Sequence, residues 1–254
     1  MTPSDPLPEQ RLEIEHPIAP SPTTARTPFW DYVDLGFLIS LSVPSLLIAA
    51  LLVRAFSGFL HFGKPFEGLL IQLVWYALVF GSLLGLLRIR YDRPFWRSLG
   101  WNFPVSAVAA SFIAGPVLAI AIGYLGYILR TPDIKQPFEQ MFQNDPTLIL
   151  FGLFVVVLGP LCEELAFRGF LMPLLMRSLG VAAGIIATGL LFGGLHAYEY
   201  SWSWRHVVLI GTAGTVFGVV RYKTNSTAAS TSMHATYNLL MLLSPFLVLG
   251  RGIL

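Results

Sequence analysis

Only 12% of the 254 residues are charged, against roughly 25% in soluble globular proteins, which is too few to cover a water-facing surface. Hydrophobic residues make up 55% of the chain and mean hydropathy is +0.67, which identifies an integral membrane protein. A net charge of +2 gives no case for nucleic acid as a partner, and the single cysteine, Cys162, excludes an internal disulfide framework.

Met1 to Pro28 is rich in Pro, Ser, Thr and Glu and has no basic stretch followed by an apolar core. It reads as a solvated leader that buries too little apolar surface to fold, and not as a signal peptide. The domain division is therefore residues 1–30 as a disordered cytoplasmic leader and 31–254 as a multi-pass membrane domain.

A helix needs about 20 mostly apolar residues to cross the hydrocarbon core. Leu35–Val53, Gly68–Leu87 and Phe103–Leu129 meet that requirement, and Thr147–Met176 does so if its charges are paired internally. Ser178–Tyr198, the shorter Val207–Val220 and the long Thr224–Gly250 follow. The expected fold class is all-α, with about seven transmembrane helices, because nothing alternates like a barrel strand. Pro44, Pro116 and Pro173 are positions where a span is expected to kink or split.

Of the 16 Lys and Arg residues, ten fall on the N-terminal side of these spans, among them Arg88, Arg90, Arg93, Arg97, Arg177 and Arg221, and six on the other. That bias predicts a cytoplasmic N-terminus and an external C-terminus; the expected location is the plasma membrane. Tyr198, Tyr200, Trp202 and Trp204 read as an interfacial aromatic belt on the external side. His61 and His206 read as interface residues.

The fourth span carries the most information. Between two uncharged runs the chain writes Glu163-Glu164-Leu-Ala-Phe-Arg168. One charge in mid-bilayer costs about 2.5 to 3.5 kcal/mol on insertion scales, so three require partners and imply a function. Residues four apart share a helix face, so Glu164 and Arg168 are expected to pair, with Arg168 as a structural clamp. Glu163 then points elsewhere, free to act as a general base; the bland alternative makes it a second partner for Arg168. Cys162 beside it reads as a small packing residue before it reads as a nucleophile.

Phe192 and His196 share the next face, and Gly193 and Gly194 invite close approach of another helix. His234 and Asn238 stack at the same spacing, and their N–H donors converging on one point would make an oxyanion hole. Singly, each of these histidines and the asparagine is explained as a residue that bridges helices by hydrogen bonding.

In this order, Glu163-Glu164-x-x-x-Arg168, Phe192-x-x-x-His196 and His234-x-x-x-Asn238 resemble the three motifs of the CPBP intramembrane proteases. That family includes the type II CAAX prenyl endopeptidases and the bacteriocin-processing, immunity and lysostaphin-resistance proteins. The resemblance covers roughly residues 147–243, taken as the catalytic core, and no motif position departs from it. It implies an intramembrane endopeptidase in which Glu163 and His196 activate water, His234 and Asn238 hold the oxyanion, and Glu164, Arg168 and Phe192 support the site. The family has been described both as metalloproteases and as metal-independent glutamic proteases. Zinc could take Glu163, His196 and His234; no His-Glu-x-x-His is present, and the reading adopted has no cofactor. The implied partners are a peptide or membrane-associated protein substrate and the lipid bilayer. A transporter or proton relay, and a non-catalytic immunity or scaffold protein, are the competing classes.

Overall fold

The computed structural model of the protein describes residues 27–60, 63–134 and 147–249. The described residues are helical, with no strand among them. Helices α1 (Tyr32–Leu60) and α2 (Lys64–Gly85) pack along one another, and α2 ends in a π-helical turn, Leu86–Arg90. A short α3 (Phe95–Ser98) leads to α4 (Val105–Ile128). The next segment runs without a break through α5 (Thr147–Leu153), a π turn (Phe154–Leu158), α6 (Gly159–Glu164), a second π turn (Leu165–Leu171) and α7 (Met172–Leu179). Helices α8 (Val181–Leu195), α9 (Trp204–Thr224) and α10 (Thr227–Leu249) complete the bundle.

Among the described residues four helices are long and apolar enough to cross a membrane: Tyr32–Ser57, Phe66–Arg90, Val105–Ile128 and Ile149–Leu179. Their outward faces carry Leu47, Leu51, Ile113, Ile120 and Ile149, all exposed, as a lipid-facing surface requires. Helices α1 and α4 run through Pro44 and Pro116 without breaking, and Pro173 sits in the first turn of α7.

The fifth expected span does not form over Ser178–Tyr198. Gly180, at φ +82°, ends α7 in a backbone conformation that residues with a Cβ rarely adopt. The 15 residues of α8 then stop at Leu195, too short to cross. A turn over Ala197–Ser203 follows, with Tyr198 and Trp202 exposed and Trp202 bonded back to the Ala197 carbonyl. His196 therefore lies at the end of a short helix and not within a full span.

Close helix approach follows from small residues, as lipid gives no hydrophobic drive between helices. A Cβ on Gly189 would stand 2.1 Å from the Thr215 hydroxyl, and one on Gly193 2.3 Å from the Val207 carbonyl, so α8 lies directly on α9. The same holds for Gly115 of α4 against Thr236 and Met233 of α10. Gly194, expected to share this role, faces open space.

The start of the described chain is tied to the core. Pro28 and Trp30 are buried, the Trp30 indole donates to the Phe170 carbonyl at 3.1 Å, and its ring stacks on Phe170. Residues 27–30 thus belong to the packed domain, although the leader was expected to reach residue 30; the rest of the leader and His61 lie outside the described residues. Asp31 caps α1 by accepting from the amides of Val33 and Asp34, while Asp34 accepts from the Asp31 amide. The buried Asp34 carboxylate also meets Arg90 at 2.7 Å and the Tyr91 hydroxyl, which ties α1 to the end of α2. Burial, with that hydrogen bond, pushes Tyr91 up to about 12.

Candidate active site

The three sequence motifs meet where the α5–α7 segment, α8, α9 and α10 come together. Two π turns bracket the Glu163-Glu164 pair, and such turns inside α-helices are frequent at functional sites. Pro160 explains part of this. It has no N–H, so a carbonyl one turn earlier loses its partner. The Val155 carbonyl instead accepts the Asn238 amide at 2.9 Å, fastening α10 to the helix that carries the glutamates.

Glu164 and Arg168 form the expected pair, with Arg168 Nη1 donating to Glu164 Oε1 at 2.9 Å and both side chains fully buried. Arg168 also donates through Nη2 to the Gly214 carbonyl of α9. Its guanidinium lies 4.7 Å from the ring centroid of Phe192 and 5.5 Å from that of Phe217, so one cation joins three helices. Cation–π contact adds on the order of 0.5 to 2 kcal/mol, more when desolvated.

His234 donates its Nδ1–H to Glu164 Oε1 at 3.0 Å, because a carboxylate can only accept. This fixes Nε2 toward Glu163, at 3.7 Å from Oε2. The ring is sandwiched by aromatics: Phe217 stacks on it at 4.5 Å and Phe192 meets it edge-on at 5.7 Å. Glu163 itself is 26% exposed at its side chain, whereas Glu164 is at 0%. Adjacent in sequence, the two carboxylates have different surroundings: Glu164 is locked into a network, and Glu163 contacts no Lys or Arg among the described ion pairs.

His196 is half-buried. Its Nδ1 donates to the Phe192 carbonyl at 2.8 Å, leaving the Nε2 lone pair outward in the neutral ring. Its ring packs on Phe192 at 4.6 Å, so His196 and His234 touch the same phenyl group. Phe192 is thus the hinge of the site: it faces Arg168, His196 and His234 together.

Three residues near the reacting groups carry no motif. Phe217 of α9 was hidden among apolar neighbours. Tyr76 of α2 lies near Glu163 and stacks on Phe154 at 5.8 Å, and its signal was a phenol in the middle of a span. Glu199, in the turn after His196, is also in electrostatic reach of Glu163. Cys162 is buried and free. His206 stacks on Tyr200 at 4.5 Å.

Residues 145–240, fewer than half of the chain, match the family model of type II CAAX prenyl endopeptidase Rce1-like proteins. No curated protein and no solved structure matches the chain. The matched stretch is the one that holds Glu163, His196, His234 and Asn238, so over these residues the chain is similar to the type II CAAX prenyl endopeptidases.

Proposed function

We propose that the protein is an intramembrane endopeptidase that hydrolyses peptide bonds with a water activated by Glu163. The supporting observation is the contrast between the two carboxylates. Glu164 is spent on Arg168 and His234, while Glu163 stays partly accessible and 3.7 Å from His234 Nε2.

In this reading the Glu163 carboxylate takes a proton from water, and the outward Nε2 of His196 accepts the second hydrogen and orients it. The resulting hydroxide adds to the peptide carbonyl carbon. The oxyanion that forms accepts from Asn238, whose amide keeps one N–H beyond that given to Val155, and from His234. His234 already donates Nδ1–H to Glu164, so donation through Nε2 requires the imidazolium. Collapse breaks the C–N bond, and Glu163 returns its proton to the leaving amine. Glu164, Arg168 and Phe192 hold the histidines in place.

Water activation is read as metal-independent. The support is the donor arrangement: among the described residues no three His, Cys, Asp or Glu side chains gather as ligands for one ion, so Glu163, His196 and His234 do not fit a zinc site as they stand. The substrate is a peptide or membrane-associated protein presented from the bilayer. The proposed setting is the plasma membrane with a cytoplasmic N-terminus.

The test compares peptides released in membranes carrying the wild-type protein or Glu163→Gln. Removing one general base lowers rate by on the order of 10² to 10⁴, so the variant should yield almost none of the wild-type products. Products at half the wild-type level or more would remove Glu163 from the mechanism.

A further inference from the structure

A second site lies at the opposite end of the α7 helix from the glutamates. A cavity of about 790 Å³ opens among the chain entry at Thr27–Trp30, α3, the end of α7, the start of α8 and the end of α9. Four arginines line it: Arg93, Arg97, Arg177 and Arg221. Among the described residues none of the four is in an ion pair with a carboxylate, unlike Arg54, Arg90 and Arg168.

Two of these cations are held in place by neutral acceptors. Arg177 donates to the carbonyls of Pro28 and Trp30 at 2.9 and 3.2 Å. Arg221 donates to the Thr227 hydroxyl at 2.9 Å and to Asn225 at 3.0 Å. It also lies against Gly100, where a Cβ would sit 2.2 Å from its Nη2. Arg93 rides over the Phe29 ring at 5.6 Å, and Arg97 is exposed. Between these charges the wall is apolar, with Met172, Met176 and Val181. All four arginines fall on the membrane side with the excess of Lys and Arg.

Four guanidiniums that form no carboxylate ion pair among the described residues, beside an apolar wall at the ends of spanning helices, suit an amphiphile with a phosphate head. Guanidinium binds phosphate oxygens in a bidentate fork, and basic pockets between helix ends on the cytoplasmic face are where anionic headgroups dock. We propose that this cavity is a binding site for an anionic phospholipid of the surrounding leaflet, with the phosphate among Arg93, Arg97, Arg177 and Arg221 and the upper acyl chain along Met172, Met176 and Val181. Met172 lies one turn beyond Arg168 on the same segment, so an occupied site braces the helix that positions the glutamates.

The experiment uses the full chain in a neutral detergent, titrated with phosphatidylglycerol, phosphatidylcholine or inorganic phosphate. Thermal midpoint and lipid retained in native mass spectra are followed. Phosphatidylglycerol should raise the midpoint saturably and stay bound, while the other two should not at equal concentration. Arg93→Gln with Arg97→Gln removes two cations that make no side-chain hydrogen bond among the described residues. That variant should keep the lipid-free midpoint and lose phosphatidylglycerol affinity by about tenfold or more. If the double variant fails to fold, Arg97→Gln alone should lower affinity by several-fold. Equal shifts with phosphatidylcholine, unchanged affinity in the variants, or an equal response to inorganic phosphate would each overturn the proposal. So would phosphatidylglycerol binding seen only after removal of residues 1–26, since the acidic leader would then be the occupant.

Discussion

Replacing Arg168 by alanine should unfold the protein before it touches the chemistry. The side chain is at 0% exposure, and its removal leaves the fully buried Glu164 carboxylate beside His234 without its cation. It also withdraws the donor from the Gly214 carbonyl and opens a gap between Phe192 and Phe217. Deleting one member of a buried ion pair costs about 3 to 5 kcal/mol, because the other charge is left uncompensated. A loss of 3 kcal/mol is already more than a hundredfold in the ratio of folded to unfolded protein, as each 1.4 kcal/mol is about tenfold. The assay is equilibrium denaturation of purified protein in mixed micelles, read by helix content. Glu164→Gln with Arg168→Met gives the informative comparison: with both charges gone, the double variant should be markedly more stable than Arg168→Ala. An Arg168→Ala protein as stable as wild type but inactive would refute the clamp and require a direct role for Arg168 in substrate binding. A double variant no better than Arg168→Ala would show that the cost comes from lost packing and not from an orphaned charge.

The other expectations separate chemistry from architecture. Asn238→Ala strands the Val155 carbonyl as well as removing an oxyanion donor, so it should lower stability by about 1 to 3 kcal/mol and kcat by about 10² to 10³ with a smaller change in KM. A loss confined to KM would assign Asn238 to substrate binding. Elemental analysis of the purified active protein should find well under one zinc per chain, and chelators should leave activity intact; stoichiometric zinc with activity lost to a chelator and restored by zinc would reverse the metal-independent reading. Gly193→Val drives a side chain into the Val207 carbonyl and should separate α8 from α9, lowering stability by about 1 to 3 kcal/mol and activity with it. Gly194→Val, at a position with open space, is the matched control and should be near neutral.

Which parts of this site could be read beforehand depends on the range of the interaction that makes each one. The Glu164–Arg168 pair is a one-turn contact, and helix periodicity alone is enough to predict it. At His234 and Asn238 the same periodicity gives the shared face but not the partners. They share a face, yet their bonds diverge: His234 goes to Glu164 and Asn238 to the Val155 carbonyl. The difference is made by the partner helix, where Pro160 and the π turn free a backbone acceptor that no side-chain pattern advertises. Pro160 was in view in the sequence, but a proline in the membrane reads as a kink and its consequence for a carbonyl five residues earlier needs the fold. The end of α8 before His196 was illegible for a related reason: Ala-Thr-Gly-Leu-Leu-Phe-Gly-Gly-Leu continues the hydropathy of a span, and only Gly180 at positive φ and the stop at Leu195 shorten it.

The adjacent glutamates show how a fold gives identical side chains different surroundings. On a helix they must diverge by about 100°, so they cannot share one environment. The inward one is bonded to Arg168 and His234, and Arg168 in turn lies over three aromatic rings, which holds the pair in place. That fixation is what orients the His234 ring, since Nδ1–H donation to Glu164 leaves only Nε2 to face the reacting side. In the proposed mechanism the outward glutamate exchanges a proton with water, since its neighbour holds the nearby cation. An exchange of the two roles is therefore a sharp test of the arrangement. Glu163→Gln should remove catalysis and leave the midpoint of unfolding near wild type, whereas Glu164→Gln should lower the midpoint by leaving Arg168 buried without a counter-charge, and should also loosen His234. Were both substitutions to lower activity equally with no difference in unfolding, the two carboxylates would be acting as a single unit, and the division between base and anchor would have to be abandoned.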